Sequence, residues 1–221
     1  MLSSADGQIR AAGAEGLFCG DVRFLSVLIA TVDGRQPIAV GHRLDGAASA
    51  TFVGVLPDLG DPIADPTVRL ERRRTATPSG LREELRLVND SRSPVQAELA
   101  VRAGVDMATM HDVKQGRRPA GSVPPTAAPA FTWTAAGRTT ELRVDSPASV
   151  TRATSDDLTL AWLVDVPARS AMSVTISVEA KLGPDDLRFR APTPHPAWDD
   201  AVSVRSVHPH LGRLEIGRAH V

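Results

Sequence analysis

Asp21 and Arg23 are opposite charges one residue apart, set between an apolar plug, Leu17-Phe18, and an apolar run that begins at Phe24. Charges caught between apolar segments require partners, because an unpaired buried charge is costly. In an extended backbone both side chains would project to one side. That spacing admits an ion pair that fixes the turn, each charge also bonding backbone groups. The other residues with chemical potential are sparse. Cys19 is the sole cysteine, which excludes an internal disulfide framework and a multi-cysteine metal site; beside Phe18 it reads as a small buried apolar residue. His208 and His210 flank Pro209 with no cysteine or carboxylate cluster beside them, so no metal centre is expected there. Phosphate-loop spacing, a His-Glu-x-x-His pattern and a serine-nucleophile elbow do not occur in the sequence. No cofactor is expected, and no residue is assigned a catalytic role.

The bulk properties narrow the classes further. Lys and Arg total 25 against 26 for Asp and Glu, a net charge of −1, which gives no electrostatic reason to seek nucleic acid. With 42% hydrophobic residues the chain can bury a substantial core. Met1 to Arg10 has neither the basic start nor the apolar run of a secretory signal. The longest apolar run, around Leu25 to Val32, is far below the ~20 residues of a membrane helix. A cytoplasmic protein is expected, and Asn89-Asp90-Ser91 then reads as a turn rather than a glycosylation site.

The elements that must position Asp21 and Arg23 are strands. Asp6-Gly7 reads as a tight turn before a short strand at Gln8 to Ala11. Phe24 to Val32 reads as one buried strand closed by Asp33-Gly34, a strong hairpin signal, with Pro37 to Arg43 as the return strand and Ala50 to Val55 next. Strict alternation follows: Val68 and Leu70 against Arg69 and Glu71, Leu85 and Leu87 against Glu84 and Arg86, then Ala97, Leu99, Val101 and Ala103 against Gln96, Glu98 and Arg102. It resumes at Leu142 and Val144, at Leu158, Leu160, Trp162 and Val164, and at Met172, Val174, Ile176 and Val178. Period two means half-buried antiparallel strands with one solvated face. With no helix long enough for a parallel crossover, the expected class is all-β, an antiparallel β-sandwich. Arg117 to Pro129 is expected to be an exposed loop. Beyond Pro184 the composition changes: a proline-rich linker, then the start of a helix at Trp198 with Asp199 and Asp200 in its first turn.

Several ordered blocks resemble the N-terminal domain of bacterial and archaeal glycogen debranching enzymes of the amylo-α-1,6-glucosidase type. They are Ser4, Asp6 and Gly7; then Gly16-Leu17-Phe18, Asp21, Arg23, Leu25 and Ser26; then Asp33 and Gly34. Two more agree: Arg72-Arg73-Arg74 with Leu85, Leu87 and Asn89, and the run Gly104 to Gly116. The resemblance covers about residues 3 to 205. Val22 departs from it, since the family usually has threonine there. The resemblance implies a supersandwich-like fold on the N-terminal side of an (α/α)6 toroid that carries the catalytic carboxylates, in an enzyme that hydrolyses α-1,6-glucosidic branch points of glycogen-like glucans. It implies the organisation 1–188 β-sandwich, 189–214 linker and first helical segment, and a toroid missing from this sequence. Residues 215–221 match the codon reading of a common sequencing adapter, so the expectation is a gene cut off by its sequencing read.

Within that resemblance Asp21 and Arg23 acquire a second reading, as residues of the face that meets the toroid and the rim of its substrate pocket. Glycoside hydrolysis needs two carboxyl groups across one bond, roughly 5 to 9.5 Å apart. The adjacent pairs Asp156-Asp157, Asp185-Asp186 and Asp199-Asp200 fall at turns or a helix start and read as solvated. Sugar-binding modules rely on flat rings. Here there are no tyrosines, three tryptophans and five phenylalanines, with Phe131 and Trp162 at core positions and Trp133 as the one candidate exposed ring. The expected partner is the absent (α/α)6 domain, with α-glucan as a further candidate. The competing reading is a stand-alone, non-catalytic sandwich that binds glucan or a protein.

Overall fold

The computed structural model describes residues 1–117, 130–154, 157–184 and 186, and the account below concerns these. The strands follow the alternation. They are β1 (Leu17–Cys19), β2 (Val22–Leu25), β3 (Val27–Val32), β4 (Ile38–Leu44), β5 (Ser49–Val55), β6 (Val68–Thr77), β7 (Gly80–Asn89) and β8 (Val95–Gly104). A short helix, α1 (Met110–Lys114), precedes β9 (Ala130–Ala135), β10 (Arg138–Val144), β11 (Val150–Ala153), β12 (Asp157–Val166) and β13 (Ser170–Lys181). They form a seven-stranded sheet in the order β4-β5-β6-β7-β13-β10-β9, a four-stranded sheet β11-β12-β8-β3 and a two-stranded ribbon β1-β2. Every neighbouring pair is antiparallel. The all-β sandwich expected from period two is what the chain adopts.

The core lies between the two larger sheets. Val68, Leu70, Leu85, Leu87, Val174, Ile176 and Leu142 come from the seven-stranded sheet, and Leu28, Leu99, Val101, Leu158, Leu160 and Trp162 from the four-stranded one. Burying each such side chain is worth roughly 1.5–3 kcal/mol. Phe131 and Trp162 are buried as expected, and Trp133, the candidate exposed ring, is buried too, at 1% exposure. Trp133 occupies the inward phase of β9, as Phe131 does two residues earlier. Asn89 is also fully buried; its amide donates to the carbonyls of Ser93 and Val166, and its oxygen accepts from the Ser91 amide. It fixes the turn after β7.

Three strand expectations differ from the structure. Phe24 to Val32 is not one strand: it breaks at Ser26, whose amide and hydroxyl both donate to the Gly104 carbonyl, at 2.8 and 3.1 Å. That double attachment ends the ribbon strand β2 and starts β3 in register with β8. Asp33-Gly34 does form the tight turn, with φ of 49° and 72° and reciprocal bonds between Val32 and Arg35, as such a dipeptide favours. The return strand does not pair with β3. Asp33 is held on β8 by its own amide to the Glu98 carbonyl and by its carboxylate to the Glu98 amide, Pro37 has no N–H to extend a ladder, and β4 joins β5 in the other sheet. The short strand expected at Gln8 to Ala11 is a single bridge between Ile9 and Leu28. The expected linker and helix at 189–214 and the adapter-like residues 215–221 lie outside the described residues, as do residues 118–129 of the expected loop.

Candidate functional site

The stretch Gly16 to Ser26 forms a corner around the ribbon. Gly16 is tied to Leu2 by two backbone bonds of 2.9 Å. It has φ of +150°, and a β-carbon there would stand 2.6 Å from Arg23 Cδ and 2.7 Å from the Leu25 carbonyl oxygen. Only glycine permits that approach. On its other side the corner is fastened to the segment after β8: the Arg23 amide donates to the Ala108 carbonyl and the Met110 amide to the Asp21 carbonyl, each at 2.8 Å. Thr109 then caps α1 by accepting from the Asp112 amide at 3.1 Å. Two blocks that are far apart in sequence, Gly16 to Ser26 and Gly104 to Gly116, are therefore one local structure.

Arg23 and Asp21 do not pair with each other. Arg23 is 2% exposed; its Nε donates to Asp106 Oδ1 at 3.2 Å, its Nη2 to Asp106 Oδ2, and its Nη1 to the carbonyls of Gly13 and Glu15, both at 3.1 Å. A pair on one side of the chain requires extended backbone at both residues. Arg23 is in β2, but Asp21 is in the turn before it, so the strand alternation does not include Asp21. The Asp21 carboxylate is exposed and has no hydrogen bond or ion pair among the described residues. It lies close enough to Arg138 to favour that residue's charged form, the larger contribution coming from the hydrogen bonds of Arg138 to Asp186. Arg138 holds Asp186 with Nε at 3.0 and 2.9 Å and Nη2 at 2.6 Å, and the Gly183 amide adds a bond of 2.7 Å. Hydrogen bonding from Arg138 holds the Asp186 carboxyl below its ordinary range. The corner, α1 and the segment that follows β13 thus share one edge of the sandwich.

A second charge cluster, which the spacing of Asp21 and Arg23 does not foreshadow, lies under the N-terminal block. Arg72 and Arg74 donate from Nε to the two oxygens of Glu83, each at 2.6 Å, and all three are buried. Arg74 also donates to the Gly7 carbonyl at 2.6 Å and sits 5.5 Å from the centre of the Phe52 ring. Arg72 reaches Gln8 Oε1, and Gln8 closes reciprocal bonds with Ala30 at 3.0 and 2.9 Å. Burial alone would raise the Glu83 carboxyl, but the two guanidinium groups hold it below its ordinary value; burial lowers Arg72. The alternation of β6 and β7 carried the signal, since Arg72 and Arg74 continue the inward phase of Val68 and Leu70, and Glu83 that of Leu85 and Leu87. The cluster clamps the Ser4-Asp6-Gly7 block onto the seven-stranded sheet. The cavity beside Gln8 and Arg72 is about 10 Å³, room for one water at most, so it admits no substrate.

The remaining candidates among the described residues have structural employment. Asp157 accepts from Arg102 at 2.7 Å, and Cys19 packs half-buried against the core. Asp156, Asp185, Asp199, Asp200, His208 and His210 lie outside the described residues. Among the described residues no cluster could hold a metal ion, and no helix is long and apolar enough to cross a membrane. Apolar exposure is not confined to the corner. It falls on the edge strand β4, at Ile38, Val40 and Leu44; on the adjacent Met1 and Leu2, the latter bonded to Gly16 of the corner; and singly at Ile63 and Leu163.

No curated protein matches the chain. Among solved structures, "Putative kojibiose phosphorylase from human microbiome" superposes with a TM-score of 0.52 at 8% identity, over 72% of this chain and 22% of that one. The chain therefore spans about a fifth of that protein's length, and the likeness is one of fold. The family model that describes the N-terminal domain of some glycogen debranching enzymes matches residues 1–177, the region that holds the corner, both buried charge clusters and the first eight of the twelve residues of β13. On that match the chain belongs to the family of N-terminal domains of glycogen debranching enzymes.

Proposed function

We propose that this domain is the accessory part of a bacterial, cytoplasmic enzyme that hydrolyses α-1,6-glucosidic branch points of glycogen-like glucans, and that it supports an (α/α)6 catalytic domain through the edge formed by Gly16–Ser26, α1 and Arg138. The observation that carries this reading is the division of labour at the corner. Arg23 is wholly consumed in holding the corner rigid, while Asp21 is presented beside the Arg138–Asp186 clamp, acting on Arg138 through its charge but making no hydrogen bond or ion pair among the described residues. A rigid edge with an unused charge suits a docking surface better than a reaction centre, which would need paired carboxyl groups across a cleft. The glucan is the substrate of the whole enzyme and a candidate ligand of the domain itself.

The test is association of the purified chain with a separately produced (α/α)6 domain from a full-length family member, measured by titration calorimetry. The wild-type chain is expected to bind and Asp21→Lys to bind at least roughly tenfold more weakly, as like-charge or unpaired-charge contacts do, with unchanged melting temperature. Absence of binding by the wild type would overturn the accessory role. Equal binding by the variant would overturn the assignment of the edge.

A further inference from the structure

The geometry points to a binding site for a neutral polyhydroxylated ligand on the outer face of the seven-stranded sheet. A row of side chains crosses five strands there by register: Arg43 opposite Thr51, Thr51 opposite Arg73, Arg73 opposite Glu84 and Glu84 opposite Thr175. Because side chains alternate along a strand, all five stand on the face away from the core. Over the row lies a hollow of about 330 Å³, completed by Asp45, Glu71 and Arg86. That volume falls within the range of small-ligand sites, about 300–1,000 Å³.

The two sides of the hollow are locked and its centre is open. On one side Arg43 donates to Asp45 at 2.6 Å and Thr51 also donates to it. On the other, Glu71 accepts from Arg69 at 2.8 Å and from Arg86 at 2.9 Å. Between them Arg73 and Glu84 sit directly across adjacent strands; Arg73 acts on the Asp45 carboxylate through its charge, yet neither Arg73 nor Glu84 makes a hydrogen bond or an ion pair among the described residues. Opposite charges in such positions ordinarily pair. Here a guanidinium fork and a carboxylate are left side by side, facing the hollow.

Those two groups define the ligand. Three arginines and three carboxylates line the hollow and cancel, so neither an anion nor a cation is favoured by the net field. A fork of N–H donors spans two adjacent oxygens, and a carboxylate accepts a hydrogen bond at each of its two oxygens; adjacent hydroxyl groups, which donate and accept, satisfy both at once. No aromatic ring lines the hollow, so stacking adds nothing and the dissociation constant is expected on the order of 1 mM. The choice of an α-glucan among polyhydroxylated ligands rests on the proposed function.

The experiment is a titration of the ¹⁵N-labelled 221-residue chain with maltotetraose, followed by amide chemical shifts, with sodium sulfate as an anionic probe. Saturable shifts confined to β5, β6 and β7 are expected, unaffected by added sodium chloride. Arg73→Ala and Glu84→Gln should each weaken binding roughly tenfold, the cost of one lost bond to a charged group, with unchanged melting temperature. Absence of maltotetraose shifts, shifts that both variants retain, or sulfate displacing the sugar would each overturn the site. None of these outcomes bears on association with the (α/α)6 domain, so failure here and failure of the docking role are separable.

Discussion

Arg23 grips the carboxylate of Asp106, 83 residues downstream, with Nε at 3.2 Å and with Nη2, and by that grip joins the ribbon β1-β2 to the segment that leads into α1. Arg23 is 2% and Asp106 13% exposed at the side chain, so removal of either leaves a charge with little access to water. Arg23→Ala is expected to cost about 3–5 kcal/mol, a fall in Tm of roughly 6–20 °C for a domain of this size. Asp21→Ala, which strips no partner, should stay within ~0.5 kcal/mol. Thermal melts followed by circular dichroism decide; similar losses for the two variants would contradict the assignment of Asp106 as the partner.

Gly16 and Arg23 should be energetically coupled. A β-carbon at position 16 would meet Arg23 Cδ at 2.6 Å and the Leu25 carbonyl at 2.7 Å, so Gly16→Ala is expected to cost about 2–3 kcal/mol through overpacking and backbone strain. In an Arg23→Ala background that cost should shrink without vanishing, because the carbonyl clash persists. A double-mutant cycle in denaturant measures it. Strict additivity would mean that Gly16 acts through its φ alone.

Stability should fall in acid. Burial acts to raise the Asp6 carboxyl, but hydrogen bonds from Arg10, Ser4 and the Gln8 amide overcome it and hold Asp6 well below the ordinary range; Glu83 is also lowered, burial again being opposed by its two arginines. For both groups the unfolded chain binds protons more readily than the folded one. Their contribution is therefore complete above the unfolded value, near pH 4, and is lost as the pH falls below it. Tm measured from pH 7 to pH 3 should be flat and then drop, and Asp6→Asn should flatten the drop. A Tm that holds or rises toward pH 3 would be the contrary result.

The edge strand β4 should make the isolated domain self-associate. Ile38, Val40 and Leu44 are 59%, 60% and 78% exposed on a strand paired on one side only, which is the configuration that natural edges normally blunt with charge. Sedimentation velocity should show a concentration-dependent shift for the wild type that Val40→Lys removes, at unchanged Tm. A wild type that stays monomeric at all concentrations would refute this.

Much of the fold was legible because alternation is a local property. The outward Arg69 and Glu71 and the inward Val174, Ile176 and Val178 each state a face, and faces add up to a two-layer β-sandwich. Less legible was whatever depended on where a strand goes next. Ser26 looks like an ordinary residue of an apolar run until the Gly104 carbonyl is beside it, and the turn at Asp33-Gly34 says nothing about β4 crossing to the other sheet. The buried trio of Arg72, Arg74 and Glu83 lay in plain sight of the alternation, but charges in an inward phase read as the end of a strand unless their partners are known.

The sequence by itself determined the class, all-β, and through its ordered blocks the family, because periodicity and motif order survive without any knowledge of contacts. Only the tertiary structure decided who pairs with whom. Arg23 belongs to Asp106 and not to Asp21, since an ion pair is chosen by distance and burial in space, and a turn at Gly20-Asp21 removes from the strand the one residue that chain spacing would have selected.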